Sequence, residues 1–255
     1  MLKHPKIDTE HILPDSRART EKIQYIIIHC SKSSPEKQIE HMQNFGLSTH
    51  YIISKKGALI KTLDLKRVAY HAGQSSWNGS KEFSLNGTSI GIEIESKSLG
   101  QTQRAYTKKS IETLCRLLKY LRQTYKIRKE NILGHSDIAP ERKPDPGAYF
   151  PWKKLYQNNL IFWYHDNALA PLLDEETLLS AIGYSTKVLE AARYAFCRRY
   201  LRKEVIIDKD LQHLVDNPYP KDFYPKDKEK YFIRLRAVLH AITQQRNRRY
   251  AHPKG

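Results

Sequence analysis

Ile23-Gln24-Tyr25-Ile26-Ile27-Ile28-His29 is the stretch on which the fold turns. It is short, rich in β-branched residues and almost wholly apolar, which suits a strand buried on both faces. The run ends on His29 and passes into Cys30-Ser31-Lys32-Ser33-Ser34-Pro35. A histidine closing a central strand sits at the rim where α/β sheets place their binding sites. Taken alone, His29 reads more readily as a histidine satisfied inside the core.

Working outward, residues 1–22 are a polar lead-in with Pro5, Pro14 and many charges. Pro35 to Phe45 has the spacing of a short helix, with Ile39 and Met42 on one face. His50 to Ser54 and Ala58 to Thr62 read as two strands joined by a Lys55-Lys56-Gly57 turn. A polar loop with His71, Trp77 and Asn86 leads to Ser89-Ile90-Gly91-Ile92-Glu93-Ile94-Glu95, which alternates strictly. Ile90, Ile92 and Ile94 face one side of that strand, and Glu93 faces the other beside a glycine. Gly91 leaves room for a ligand over that face, the competing reading being a solvent-facing glutamate on an edge strand. Thr107 caps a helix whose apolar positions are Ile111, Leu114, Cys115, Leu118 and Leu121. Strands interspersed with helices predict an α/β fold, a mixed central β-sheet flanked by helices, over residues 23–165. A smaller all-α domain follows over residues 166–255.

Composition excludes several classes. At 255 residues, with 40% hydrophobic and 28% charged residues, the chain is that of an ordinary globular protein. The net charge of +17 is spread along the chain and predicts attraction to polyanions. No helix-turn-helix, zinc-finger or RNP motif accompanies it, so nucleic acid is not the expected partner. Cys30, Cys115 and Cys197 form no CxxC pair, which fits a reducing compartment. No apolar run of membrane-spanning length and no ordinary secretory signal is present, so the expected location is cytoplasmic, with non-classical export as the alternative.

The chemistry concentrates in Gly134-His135-Ser136-Asp137-Ile138-Ala139-Pro140-Glu141-Arg142-Lys143-Pro144-Asp145-Pro146-Gly147. Its prolines make the loop stiff, and it carries an imidazole, an ammonium and a carboxylate. His29, His135 and Asp145, two imidazoles and one carboxylate with a fourth position left to water, make up a catalytic zinc set. Glu93 would take a proton from that water and pass it to a leaving amine. Lys143 would stabilise the oxyanion of a tetrahedral intermediate. The absence of HExxH excludes a zincin site.

Five segments carry a resemblance: Tyr25 to His29, His50 to Ile53, Ala69 to Gly73, Ser89 to Glu93 and Gly134 to Gly147. In this order they resemble the type 2 N-acetylmuramoyl-L-alanine amidases, zinc amidases that share a fold with phage lysozyme-amidases and peptidoglycan recognition proteins. The likeness covers about residues 23–160. It implies hydrolysis of the amide between the lactyl group of N-acetylmuramic acid and the L-alanine of the stem peptide, in peptidoglycan or (anhydro)muropeptides. It implies one Zn2+ per chain on His29, His135 and Asp145, a zinc-bound water as the attacking group, Glu93 as acid/base and Lys143 at the oxyanion. His71, Trp77, Asn86 and Arg142 are candidates for the substrate groove, with a packed aromatic as the competing reading of Trp77. Where many relatives carry Asn-Asp, this chain has Asn86-Gly87. Relatives that bind peptidoglycan without cutting it lack part of the zinc set, and this chain keeps all of it. An enzyme is therefore expected, and a non-catalytic peptidoglycan-binding protein is the alternative. Leu179 to Tyr200 resembles a degenerate peptidoglycan-binding module, against a purely structural role for those helices.

Overall fold

In the computed structural model, which describes residues 5–10, 17–80 and 83–247, the isoleucine run forms the strand β2 (Tyr25–Ser31). Ile26, Ile27 and Ile28 are fully enclosed. Around β2 stand β1 (Thr9–Glu10), β3 (Tyr51–Ile53), β4 (Leu59–Lys61), β5 (Ser89–Glu95) and β6 (Ile132–Gly134). They make one six-stranded sheet in the order β1-β4-β3-β5-β2-β6. β3 and β4 pair antiparallel as the expected hairpin, and the remaining neighbours are parallel. The sheet is mixed, as the sequence predicts. β5 lies between β3 and β2, which rules out an edge-strand glutamate at Glu93.

Period-two alternation splits β2 between two cores. Ile26 and Ile28 join Ile90, Ile92 and Ile94 beneath the helix α2 (Lys108–Tyr125). Thr107 caps that helix, its hydroxyl accepting the Ser110 N–H at 3.1 Å. Ile111, Leu114, Leu117, Leu118 and Leu121 form its buried face, while Cys115 is only half-buried rather than part of the core. α1 (Pro35–Phe45) follows β2, and α3 (His135–Ile138) and α4 (Trp152–Gln157) follow β6.

Tyr25, Ile27 and Leu133 face the other way, and what covers them comes from the last third of the chain. There α5 (Glu175–Ile182), α6 (Leu189–Tyr200) and α8 (Lys228–Asn247) supply Leu178, Leu179, Ala195, Phe196, Tyr231, Leu235 and Val238 to the same core, with α7 (Leu211–Asp216) lying between α6 and α8 in the chain. Every residue of α6 from Ala191 to Tyr200 is buried, so this helix is enclosed on all sides.

The expected lead-in is partly built into the fold. β1 pairs with β4, and the Arg19 guanidinium reaches the carbonyls of Leu65 at 2.9 Å and Ser89 at 3.0 Å. The rest of the lead-in, at 1–4 and 11–16, lies outside the described residues, as do 248–255 of the expected C-terminal domain. Among the described residues no helix is long and apolar enough to cross a membrane.

Leu118 has no exposed surface and sits mid-helix against the sheet. Leu118→Ala is expected to cost about 2–5 kcal/mol of stability. Urea unfolding should show a lower midpoint with an unchanged slope.

Candidate active site

Parallel pairing brings the first two groups together. β2 and β5 lie in register with His29 directly opposite Glu93, at the carboxyl ends of the strands. β6, on the other side of β2, ends at Gly134, so His135 begins α3 at the same rim. The proline-bearing loop then folds back, its return fixed by the Ser136 N–H donating to the Asp145 carbonyl at 2.8 Å. His29, His135 and Asp145 meet as a buried group whose donor atoms all lie within 4.8 Å of one another.

The tautomers follow from the surrounding partners. Ser89 Oγ donates its one proton to the Leu85 carbonyl at 2.7 Å. It must therefore accept from His71 Nε2, 3.1 Å away. Burial, and next the His29 imidazole, hold His71 well below the usual histidine range, so this ring is neutral and its Nδ1 is an acceptor. His71 Nδ1 lies 2.8 Å from His29 Nε2, which must carry the proton. On the third ring, His135 Nε2 lies 3.2 Å from the Ala72 carbonyl, which can only accept. In the neutral rings both Nδ1 atoms are left as bare lone pairs.

Those two lone pairs face each other at 3.0 Å, and each lies 3.3 Å from Asp145 Oδ2. Three acceptors at this separation have no proton to share among the neutral rings, and a cation resolves the conflict. Donors on zinc at ordinary bond lengths of about 2.0–2.1 Å in a tetrahedron lie roughly 3.3–3.4 Å apart, close to the observed triangle. The residues present fit the metal. Burial, and then the His135 imidazole, lower His29 to about 4. Burial alone would raise Asp145, but the positive charge that His135 and His29 carry when protonated, with their hydrogen bonds to it, more than reverses this and holds the carboxyl below the usual range.

Glu93 stands beside this centre. Its Oε2 is buried and has no hydrogen-bond partner among the described residues. Burial first, and the Asp145 charge second, push it up to about 8, with Lys143 pulling the other way. Lys143 is half-buried, and its amine makes no ion pair among the described residues.

The groove candidates have other neighbours. The room that Gly91 leaves is filled by His71: a Cβ at Gly91 would lie 2.6 Å from that ring. The glycine serves a close approach between side chain and strand, not an opening for a ligand. Trp77 is 4% exposed and packs edge-on against Tyr184, so the packed-aromatic reading describes it. Asn86 Oδ1 accepts the N–H groups of His71 and Ala72 at 3.1 and 2.8 Å, fixing the loop that presents His71. Arg142 donates through Nη2 to the carbonyls of Ala72 and Gln74, tying it to the loop that carries His71. Sequence reasoning missed the Ser89–His71–His29 relay, although a glycine between isoleucines in a strand was its visible sign.

His50 is a further buried imidazole. Its Nδ1 accepts the Gly91 N–H at 3.1 Å and its Nε2 faces the Arg67 carbonyl at 3.2 Å. Burial, and then Arg19, lower it to about 3. The unfolded chain therefore takes up a proton below about pH 6.5 that the folded chain refuses until about pH 3. Stability of the metal-free protein should fall across that window as pH drops, by up to about 1.4 kcal/mol per pH unit for this one group. Urea midpoints at several pH values check this, and His50→Gln should flatten the slope.

The family model described as N-acetylmuramoyl-L-alanine amidase (Amidase_2) matches residues 19–148. Among curated proteins, the chain is similar to the N-acetylmuramoyl-L-alanine amidase AmiD of Escherichia coli strain K12. The two are 32% identical over 160 residues, 58% of this chain and 57% of that protein. It is also similar to the 1,6-anhydro-N-acetylmuramyl-L-alanine amidase AmpD of the same organism, at 34% over 118 residues, 46% of this chain and 60% of that one. The match thus spans somewhat over half the length of these relatives. Among solved structures, the E. coli AmiD complex with the substrate anhydro-N-acetylmuramic acid-L-Ala-D-gamma-Glu-L-Lys has a TM-score of 0.67 at 23% identity, covering 89% of this chain and 92% of that one. AmpDh3 from Pseudomonas aeruginosa has a TM-score of 0.66 at 22% identity, covering 90% and 95%. At these identities the likeness is one of fold.

Proposed function

The chain belongs to the N-acetylmuramoyl-L-alanine amidase family, and from its site we propose that it is a zinc-dependent amidase. Its substrate is the lactyl–L-alanine amide of peptidoglycan or (anhydro)muropeptides. The observation that carries this reading is the triangle of lone pairs on His29, His135 and Asp145, with the unpartnered Glu93 carboxylate beside it. His29 Nδ1, His135 Nδ1 and Asp145 Oδ2 would hold the metal. When bound, zinc lowers the pKa of a water toward about 7 and polarises the substrate carbonyl.

Glu93 moves the proton. Its Oε2 has no hydrogen-bond partner among the described residues, and in the metal-free chain it changes charge near neutral pH, as a group that both accepts and returns a proton must. It takes the proton of the attacking water and delivers it to the departing L-alanine amine. Lys143, whose amine makes no ion pair among the described residues and whose charge acts on Glu93, stabilises negative charge developing on the carbonyl oxygen. His71 holds the His29 tautomer, and Asn86 and Arg142 hold the loop around His71.

The three free cysteines fit a reducing compartment, so we place the activity in the cytoplasm on anhydromuropeptides. The E. coli AmiD structure of the same fold is a complex with an anhydro-sugar substrate, which supports that choice of ligand.

Mass spectrometry of an anhydromuropeptide digest provides the test. The expected products are the free stem peptide and the anhydro sugar, with activity lost on chelation and restored by zinc. Glu93→Gln should lower kcat by about 10²–10⁴ while retaining zinc. Lys143→Ala should lower it by about 10²–10³. Full turnover by the metal-free protein overturns the reading, and muropeptide binding without turnover in the zinc-loaded protein favours a non-catalytic peptidoglycan binder.

A further inference from the structure

The element that carries His135 is too short to hold itself. α3 has four residues, and a single turn is unstable without outside support. Part of its support comes from within the loop, through Ser136 and Asp145. The rest comes from Asp137, two residues after His135, whose side chain is 1% exposed. Asp137 Oδ2 accepts the Gly134 N–H at 2.8 Å and also the Arg199 Nη1–H. Its Oδ1 accepts the Tyr184 O–H at 2.8 Å.

Arg199 belongs to α6 and Tyr184 lies just after α5, so both donors come from the C-terminal helical region. Arg199 also donates to the Ile132 carbonyl at 3.2 Å, at the start of β6. Its guanidinium lies 4.0 Å over the Trp152 ring, at the start of α4. One side chain therefore grips the backbone before His135 and the carboxylate after it. A buried ion pair is a poor way to gain stability, because desolvation consumes most of the attraction. A charged fork that fixes two points on either side of His135 is, by contrast, well suited to setting a position.

We propose that Arg199 and Tyr184 are positioning residues for the metal centre, and that the C-terminal helices act as a brace on the loop carrying His135. This rests on the metal reading of His29, His135 and Asp145 given above. The helices are then part of the active-site structure, not a separable wall-binding attachment. Coupling is reciprocal, so metal binding also tightens the packing of α6 on the loop.

The full-length protein supplies the test, with zinc affinity measured by chelator competition and ligand geometry by the visible spectrum of the cobalt(II)-substituted protein. Arg199→Met is expected to weaken zinc about tenfold, the lower end for groups that orient ligands, and to shift the cobalt bands. Tyr184→Phe keeps shape and removes one hydrogen bond, and should weaken zinc in the same direction, by less than Arg199→Met. Arg193→Met is the control. That residue lies in α6 and pairs in bidentate fashion with Glu175 at 2.6 and 2.8 Å, so its loss destabilises the same helices at a different place. It should lower the melting temperature yet leave zinc affinity and the cobalt spectrum as in the wild type. The brace is overturned if Arg199→Met binds zinc like the wild type. Should that variant not fold, wild-type zinc binding in Tyr184→Phe overturns it instead, as does an equal loss of affinity in Arg193→Met. A wild-type protein that binds no zinc overturns the metal reading itself.

Discussion

Two imidazole lone pairs and a carboxylate oxygen, packed within 3.3 Å of one another and screened from water, are the constraint around which the rest of this molecule is organised. Left to themselves such groups would turn away or pick up a proton. They stay because each is tied from behind. Ser89 and His71 fix the proton of His29 on Nε2, and the Ala72 carbonyl does the same for His135. Asp145 is carried back by the hydrogen bond between its own carbonyl and Ser136. A group of acceptors prepared in this way has little left to reorganise when a cation enters, which is how orienting partners raise the affinity of a site.

The sheet makes this arrangement possible. Parallel strands end together, so His29, Glu93 and His135 arrive at one rim from three adjacent strands. Parallel strands must also be covered on both faces. α2 covers one, and the C-terminal helices cover the other, sharing Tyr25, Ile27 and Leu133 with the sheet in a single core. The same helices send Arg199 and Tyr184 to Asp137. Packing and positioning thus come from one set of elements.

Much of this was legible in the sequence because local rules agree with the tertiary outcome there. The alternation of Ser89 to Glu95 places Ile90, Ile92 and Ile94 in one core and Glu93 opposite, and Thr107 caps α2 as its side chain dictates. His29, His135 and Asp145 were visible because a strand end and a stiff loop are both places where a side chain's position is set locally. What was hidden depends on contacts between distant segments. Gly91 carries a mark of close approach but does not name its occupant, and only the fold shows that His71 fills the space. Trp77, Asn86 and Arg142 have the composition of a groove wall, and their partners 14 or more positions away turn them into packing and loop supports. Arg19 is one of many basic residues in the sequence, and only the fold shows that it reaches the Ser89 carbonyl. The apolar spacing of α6 gave no sign that this helix is buried on every side.

As a zinc centre, the lone-pair triangle would offer two nitrogens and one carboxylate oxygen. Zinc K-edge X-ray absorption on the purified full-length protein tests it most directly. The account predicts one zinc per chain, two imidazole ligands, and remaining scatterers that are all oxygen at about 2.0–2.2 Å. A sulfur shell at about 2.3 Å, or a protein that takes up no zinc, would contradict it.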